Sequence, residues 1–443
     1  MIYLQIIILF FMSILTIKCN LESENASKIN SRFRRNINYE NKKNNIYTDD
    51  TFVDKQNRKR SINNINIENK RNKRMVIGDF LARWVFPIPY FIDVGLSHRI
   101  IDSSLRMIER ETCIRFKKFT VMKRGVSGLR YFKGTICFSP VGQQRGRIWQ
   151  GISIGPGCET IGKIQHETLH SLGLFHEQSR FDRDKYLYFR LENADKTVID
   201  NFQKVYRFDS RTYGIPFDFG SVMMYGSNMF SINGKDVMIS YDYRFKATYG
   251  IADKISFANA KMLNQHYCST KCPRVIRCFN GGYQNPNNCR LCKCVRGYIG
   301  PSCNLLSLPS IICGPSRLQA TEKIQFFSVN GFKSCIYHIL TENNKLISIK
   351  ILASRFIPTI KGRCTQQNCL EVKYWTNKIS AGARFCDQQS NILIFSHNAH
   401  VIIYFNSNHF RNYVTMLYKS IGKVFNPKQI ERDFLKIQNP KLE

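Results

Sequence analysis

The stretch His166-Glu167-Thr168-Leu169-His170-Ser171-Leu172-Gly173-Leu174-Phe175-His176-Glu177 decides how this chain is read. On a helix His166 and His170 are four residues apart, so both imidazoles leave from one face. Glu167 is the next side chain around and can reach a metal-held water without being a ligand itself. Running the helix on cannot supply a third ligand. Gly173 tolerates positive φ, so the chain can stop and turn there, which brings His176 back to the same point. Three protein nitrogens with one position left open is the arrangement of a catalytic zinc site and not of a structural one. A bare His-Glu-x-x-His also occurs on solvated helix faces. The added glycine and third histidine make the pattern far more demanding. The expectation is one Zn2+ per chain, held by His166, His170 and His176.

Working outward, 443 residues are too many for a single core, so several domains are expected. The apolar run Ile2 to Ile17, broken by Gln5, Ser13 and Thr16, has the length of a signal-peptide core, placing a signal peptide at 1–19. It is short for a membrane span, and no later stretch is long and apolar enough to serve as a transmembrane segment. The chain has 16 cysteines, which suits an oxidising compartment. With Cys19 in the signal region the remainder is odd, so one thiol is left over. These features point to a secreted, extracellular protein. The sequon Asn25-Ala26-Ser27 is its glycosylation candidate. The formal charge of +34 favours acidic partners, an anionic polysaccharide or matrix among them. Nucleic acid is excluded as a partner by export and by the disulfides.

Residues 20–74 are polar, rich in Asn, Lys and Arg, and poor in apolar periodicity, which suits a propeptide. Its last basic cluster, Arg71-Asn72-Lys73-Arg74, directly precedes the first globular pattern and is placed to be cut by an activating proprotein convertase. From 75 to 268 the pattern is globular. A helical stripe of Ile100, Ile101, Leu105 and Ile108 runs through Arg99 to Glu111. Strand-like segments follow at Ile114 to Phe119, Gly128 to Cys137 and Trp149 to Ile154, the last read as an edge strand. The helix from Glu159 to Gly173 should turn Ile161, Ile164, Leu169 and Leu172 to the core. Strands followed by helices indicate α+β.

Residues 269–304 hold Cys272, Cys278, Cys289, Cys292, Cys294 and Cys303 within a Gly/Asn/Pro-rich stretch too small to bury a useful core, so three disulfides must hold it. The run Cys278-Phe279-Asn280-Gly281-Gly282 and the ending from Cys292-Lys293-Cys294 to Cys303 resemble an EGF-like domain. Structural zinc on these cysteines is the alternative. Residues 313–420 turn strand-like, and the pairs Cys313/Cys335 and Cys364/Cys386 share one spacing. This resembles a CUB domain, with Cys369 as the leftover thiol. The segment 421–443 reads as a loose polar tail.

The zinc motif, continuing Glu177-Gln178-Ser179-Arg180-Phe181-Asp182-Arg183-Asp184, is similar to that of the astacin family of zinc endopeptidases, of the secreted nematode type with EGF-like and CUB domains. Gly78-Asp79 with Trp84 and Ile88-Pro89-Tyr90 resembles the start of a mature chain of that family. The resemblance implies an α+β metzincin catalytic domain with a zinc cleft between two subdomains, followed by the small disulfide-rich EGF-like module and an all-β CUB sandwich. It implies disulfides Cys113-Cys268 and Cys137-Cys158, and, in the CUB part, Cys313-Cys335 and Cys364-Cys386. It places Met223 in a methionine turn as the apolar floor of the metal and makes Tyr225 a switchable fifth ligand. Met224 stands where the family usually has a histidine. Glu177 would face the new amino terminus, the ammonium of Met75, after cleavage at Arg74. In the propeptide Tyr47-Thr48-Asp49-Asp50 is nearest to the family's latency motif, with Asp50 as the candidate zinc ligand. The family's basic pocket beyond the methionine turn is altered here to Gly250-Ile251-Ala252, and Arg244 is a candidate substitute.

The function so implied is a secreted zinc endopeptidase, made as a zymogen, cutting extracellular, matrix or cuticular protein substrates. Glu167 would be general base and Tyr225 a donor to the developing oxyanion. An extended substrate should pair with the edge strand near Gly151 to Ile154. The rival reading is a non-catalytic, matrix-binding EGF/CUB adhesion protein, in which nothing would require Glu167.

Overall fold

The computed structural model describes residues 74–77, 83–146, 148–358 and 363–438. The expectations on the signal peptide, the propeptide up to Lys73, the sequon, Asp50 and Gly78-Asp79 lie outside the described residues.

A short strand, β1 (Arg74–Ile77), pairs antiparallel with β7 (Ser210–Arg211). The chain then opens its first domain with a four-stranded parallel sheet. Its strands are β2 (Ile88–Ile92), β3 (Phe116–Lys118), β4 (Gly128–Lys133) and β5 (Trp149–Ile154), in the order β3-β2-β4-β5. Helix α1 (His98–Glu111) is capped by Ser97 and buries Ile101, Leu105 and Ile108 against the sheet, as the apolar stripe requires. Helix α2 (Ile161–Ser171) starts at Thr160, whose side chain accepts from the Lys163 N–H. It buries Ile164 and Leu169, but Ile161 is exposed, because it lies on the first turn beyond the sheet's cover.

The outer side of β5 is not an edge open to substrate, and this corrects the sequence reading. Phe138 and Ser153 exchange both backbone hydrogen bonds, at 3.1 and 2.8 Å, in antiparallel sense. The Ser153 hydroxyl adds a bond to the Ile136 carbonyl. The pairing residue, Phe138, lies just past the strand-like segment Gly128 to Cys137, of which only Gly128–Lys133 forms β4.

Below the cleft the backbone is mostly 3-10 turns, with β6 (Leu187–Phe189) paired to β8 (Met238–Ser240). Helix α3 (Phe257–Tyr267) opens with a capping box between Ser256 and Asn259. The disulfide Cys113–Cys268 ties its end to the end of α1, and Cys137–Cys158 closes the loop before α2.

The next module has two short antiparallel pairs, β9 (Tyr283–Gln284) with β10 (Cys292–Lys293) and β11 (Tyr298–Ile299) with β12 (Leu305–Leu306). Its six cysteines pair as 272–289, 278–292 and 294–303. They are consumed in disulfides, so the structural-zinc alternative for this module falls.

A two-sheet sandwich follows. One sheet runs β13 (Arg317–Gln319), β15 (Ser334–Leu340), β20 (His400–Asn406), β17 (Cys369–Lys373), β18 (Ala383–Phe385). The other runs β14 (Gln325–Asn330), β21 (Tyr413–Gly422), β16 (Lys345–Phe356), β19 (Asp387–Phe395). Disulfides join Cys313 to Cys335 and Cys364 to Cys386, and Cys369 is a buried free thiol. The all-β sandwich is as expected.

The loose polar tail is not. Residues Pro427–Gln438 form helix α4. Ile430 and Phe434, four residues apart, bury against Leu417 and Ile421 of β21, while Glu431 and Asp433 pair with Lys350 and Lys419. Two apolar residues at helical spacing were enough to dock a segment whose composition is otherwise polar.

Candidate metal centre and its relatives

Helix α2 presents His166 and His170, and the chain leaves it at Gly173. That glycine has φ +96, donates to the His170 carbonyl at 2.7 Å, and reverses the backbone so that His176 returns. The Nε2 atoms of the three histidines then lie 3.0–3.2 Å from one another. His166 Nδ1 donates to the Val222 carbonyl and His170 Nδ1 to the Leu174 carbonyl, both at 2.7 Å. A carbonyl can only accept, so each ring carries its proton on Nδ1 and turns a lone pair inward at Nε2. Lone pairs converging at this spacing repel unless a cation sits among them. The donor set therefore fits a zinc ion.

Several contacts hold α2 in place. The Trp84 indole donates to the Ser171 carbonyl, the Tyr267 hydroxyl to the Leu172 carbonyl, and Tyr131 bonds Thr168. Gly162 is required at the first turn, where a Cβ would meet the Ala252 carbonyl at 1.7 Å. Glu167, 4 % exposed, lies next to His166 on the helix.

The floor is the turn at 221–225. Met223 is fully buried, and its carbonyl accepts from the Glu177 N–H at 2.9 Å, which fixes the turn to the residue after the third histidine. Asn259 of the α3 cap accepts from the Val222 N–H, and Gln178 accepts from Tyr225 N–H. Thus the helix cap and the turn are set by one amide side chain. The ring of Tyr225 lies 4.1 Å from that of His176, centroid to centroid. Met224, also buried, points into the apolar cluster below with Phe202 and Phe245.

Glu177 is buried, 3.1 Å from an Arg180 Nη, and accepts from the Asp218 N–H at 2.9 Å. Burial pushes its carboxyl up to about 7, against the pull of the Arg180 guanidinium.

Arg244 does not serve the cleft. It bonds Asp242 and the Leu393 carbonyl of the sandwich. A different arginine, Arg363, reaches the segment after Tyr225 from the sandwich, bonding the Gly250 carbonyl and Asn228. Nothing in its local sequence marks it, because its place is set by the packing of one domain on another.

The family model described as Astacin (Peptidase family M12A) matches residues 77–268. The medaka (Oryzias latipes) high choriolytic enzyme 1, a hatching enzyme zinc-protease, is 32% identical, with 86% of that chain and 40% of this one covered and a TM-score of 0.36. Over residues 77–268 the chain matches the astacin family. Among curated relatives, zinc metalloproteinase nas-34 of Caenorhabditis elegans is 35% identical over 341 residues, covering 75% of this chain and 55% of that protein. Zinc metalloproteinase nas-36 of Brugia malayi is 33% identical over 354 residues, covering 76% and 59%. The chain spans about half the length of the curated relatives it matches. Among the described residues no helix is long and apolar enough to cross a membrane.

Proposed function

We propose that this chain is a zinc endopeptidase, secreted as a zymogen, that cuts extracellular or matrix protein. The observation that carries the reading is the meeting of three histidine Nε2 atoms, 3.0–3.2 Å from one another, beside a buried glutamate. A binding module has no use for that combination. His166, His170 and His176 would hold the zinc, which when bound supplies a Lewis acid and acidifies water.

The remaining work falls to the chain. Glu167 takes the proton of the attacking water and returns it to the leaving amine. Its burial keeps that proton from exchanging freely with solvent. Tyr225, anchored through its backbone to Gln178 and packed at a tilt against His176, offers a phenol as donor to the oxyanion of the tetrahedral intermediate. Since the Phe138 segment covers β5, an extended substrate would add to the border formed by residues 138–142.

Seven disulfides among the described residues support an oxidising compartment. Cleavage after Arg74 would free Met75 as the amino terminus, with Glu177 as its proposed partner and Asp50 as the proposed latency ligand. The excess of Lys and Arg over Asp and Glu, 66 against 32, supports retention on an anionic matrix.

Replacing Glu167 by Gln tests the mechanism. Peptide hydrolysis is expected to fall by about 10³-fold with zinc content and thermal unfolding unchanged. Full activity in Glu167→Gln would refute the general-base role.

A further inference from the structure

A polar cavity of about 390 Å³ lies where three modules meet, and none of the three histidines lines it. Its wall is formed by the end of α1, the segment between Ile251 and Phe257, residues 294–296 of the disulfide-rich module, and strands β17, β18 and β20 of the sandwich.

The strands place charge on this wall. Glu371 and Lys373 are two residues apart on β17 and so face one side, and the register of β18 sets Arg384 directly opposite Glu371. Glu371, Lys373 and Arg384 are only 1 %, 7 % and 5 % exposed, so their charges are buried. The two cations have one carboxylate between them. Glu371 accepts from the Arg384 Nε at 3.0 Å with one oxygen and from the Gly382 N–H at 2.9 Å with the other. Lys373 donates to the Lys378 carbonyl at 2.8 Å and lies over the Tyr404 ring, 5.6 Å from its centroid. Among the described residues neither Nη of Arg384 meets an acceptor, and two of the three ammonium protons of Lys373 meet none.

The other acids on the wall are already engaged. Asp218 accepts from the Gly220 and Ala381 N–H groups with one oxygen and from the Ser256 hydroxyl with the other. Asp253 accepts from the Gln366 N–H, and Glu111 pairs with Lys293. Buried cationic donors without acceptors are costly, and the cost is removed by a ligand that accepts from both. A guanidinium fork beside an ammonium suits an anion with several oxygens.

We propose that this cavity binds a small oxyanion (phosphate, sulfate or a carboxylate) between Arg384 and Lys373. The segment facing them from the first domain also packs on the helix that bears the histidines, where the Ile255 N–H donates to Gln165 of α2 at 2.7 Å. A bound anion thus braces the sandwich against the support of that helix. The site uses no zinc ligand, so it stands or falls apart from the protease reading.

The test is calorimetric titration of the full chain with sodium phosphate, sodium sulfate and sodium acetate, each against sodium chloride at matched ionic strength. The wild type should bind at least one of the three oxyanions, at one site per chain, with a Kd of about 1 mM or tighter. The oxyanion bound most tightly names the ligand chemistry. Lys373→Met keeps the Arg384–Glu371 pair and should weaken that binding by about tenfold or more, with its Tm in chloride close to that of the wild type. Arg384→Gln should abolish binding; if the loss of its pairing with Glu371 prevents folding, Lys373→Met decides alone. A folded wild type that binds none of the three, or that takes up chloride equally well, would overturn the proposal. So would undiminished affinity in Lys373→Met.

Discussion

At the residue scale the chemistry rests on where protons sit. His166 and His170 spend their Nδ1 protons on the Val222 and Leu174 carbonyls, and that choice alone points both Nε2 lone pairs at the metal position. The spacing of the histidines was legible in the sequence. The two carbonyls that set the tautomers were not, since Val222 is brought beneath the helix only by the folded turn. Tyr225 offers a separable test. Tyr225→Phe removes a donor to the transition state and leaves the ring packed on His176. Its kcat should fall by about 10²-fold with KM held within about threefold. An equal rise in KM at constant kcat would show instead that the hydroxyl binds substrate in the ground state.

At the element scale, the catalytic helix is placed by close packing at its first turn and by a glycine at its end. Gly173 was readable from sequence because a third ligand demanded a turn. Gly162 carried no such signal, as only the approach of the Ala252 carbonyl gives it a role. Gly162→Ala should improve helix propensity yet lower stability by about 1–3 kcal/mol through overpacking. A calorimetric scan showing a higher Tm would contradict this. The edge strand was misread for a related reason. Period-two alternation identifies β5 as a strand but does not say what lies beside it, and the covering residue Phe138 falls just outside the strand-like stretch that precedes it. Helix α4 was missed because Ile430 and Phe434 form a stripe of only two buried residues in a polar segment.

At the scale of the whole molecule, the apolar core does not stop at domain borders. Val295 and Tyr298 of the disulfide-rich module and Ile402 and Tyr404 of the sandwich share one cluster with the domain that bears the three histidines. None of these contacts is visible in a single sequence, because they join segments that meet only in the folded molecule. One joint holds a buried histidine, His338, beside a half-buried one, His400. His338 Nδ1 lies 3.0 Å from His400 Nε2, and the Tyr298 hydroxyl bonds His400 at 3.1 Å. Burial lowers His338 to about 4 and His400 to about 3. An unfolded histidine titrates near 6.5, so below that pH the unfolded chain binds protons that the folded one refuses. Stability is therefore complete above about 6.5 and falls towards pH 4, by up to about 1.4 kcal/mol per pH unit for each ring. The loss of Tm from pH 7 to pH 5 should be smaller in the double variant His338→Gln/His400→Gln, with the buried His266 leaving a residual slope. An undiminished loss would mean that the joint does not titrate.

The central claim is that the three histidines make one zinc-dependent hydrolytic centre. Its most direct test is to strip the matured chain with a chelator and add zinc back while following peptide hydrolysis. Activity should vanish on stripping and return linearly to a break at one zinc per chain, with no recovery at that stoichiometry in His176→Ala. A folded, zinc-free chain that still cuts peptide, or a chain that binds no zinc, would contradict the account.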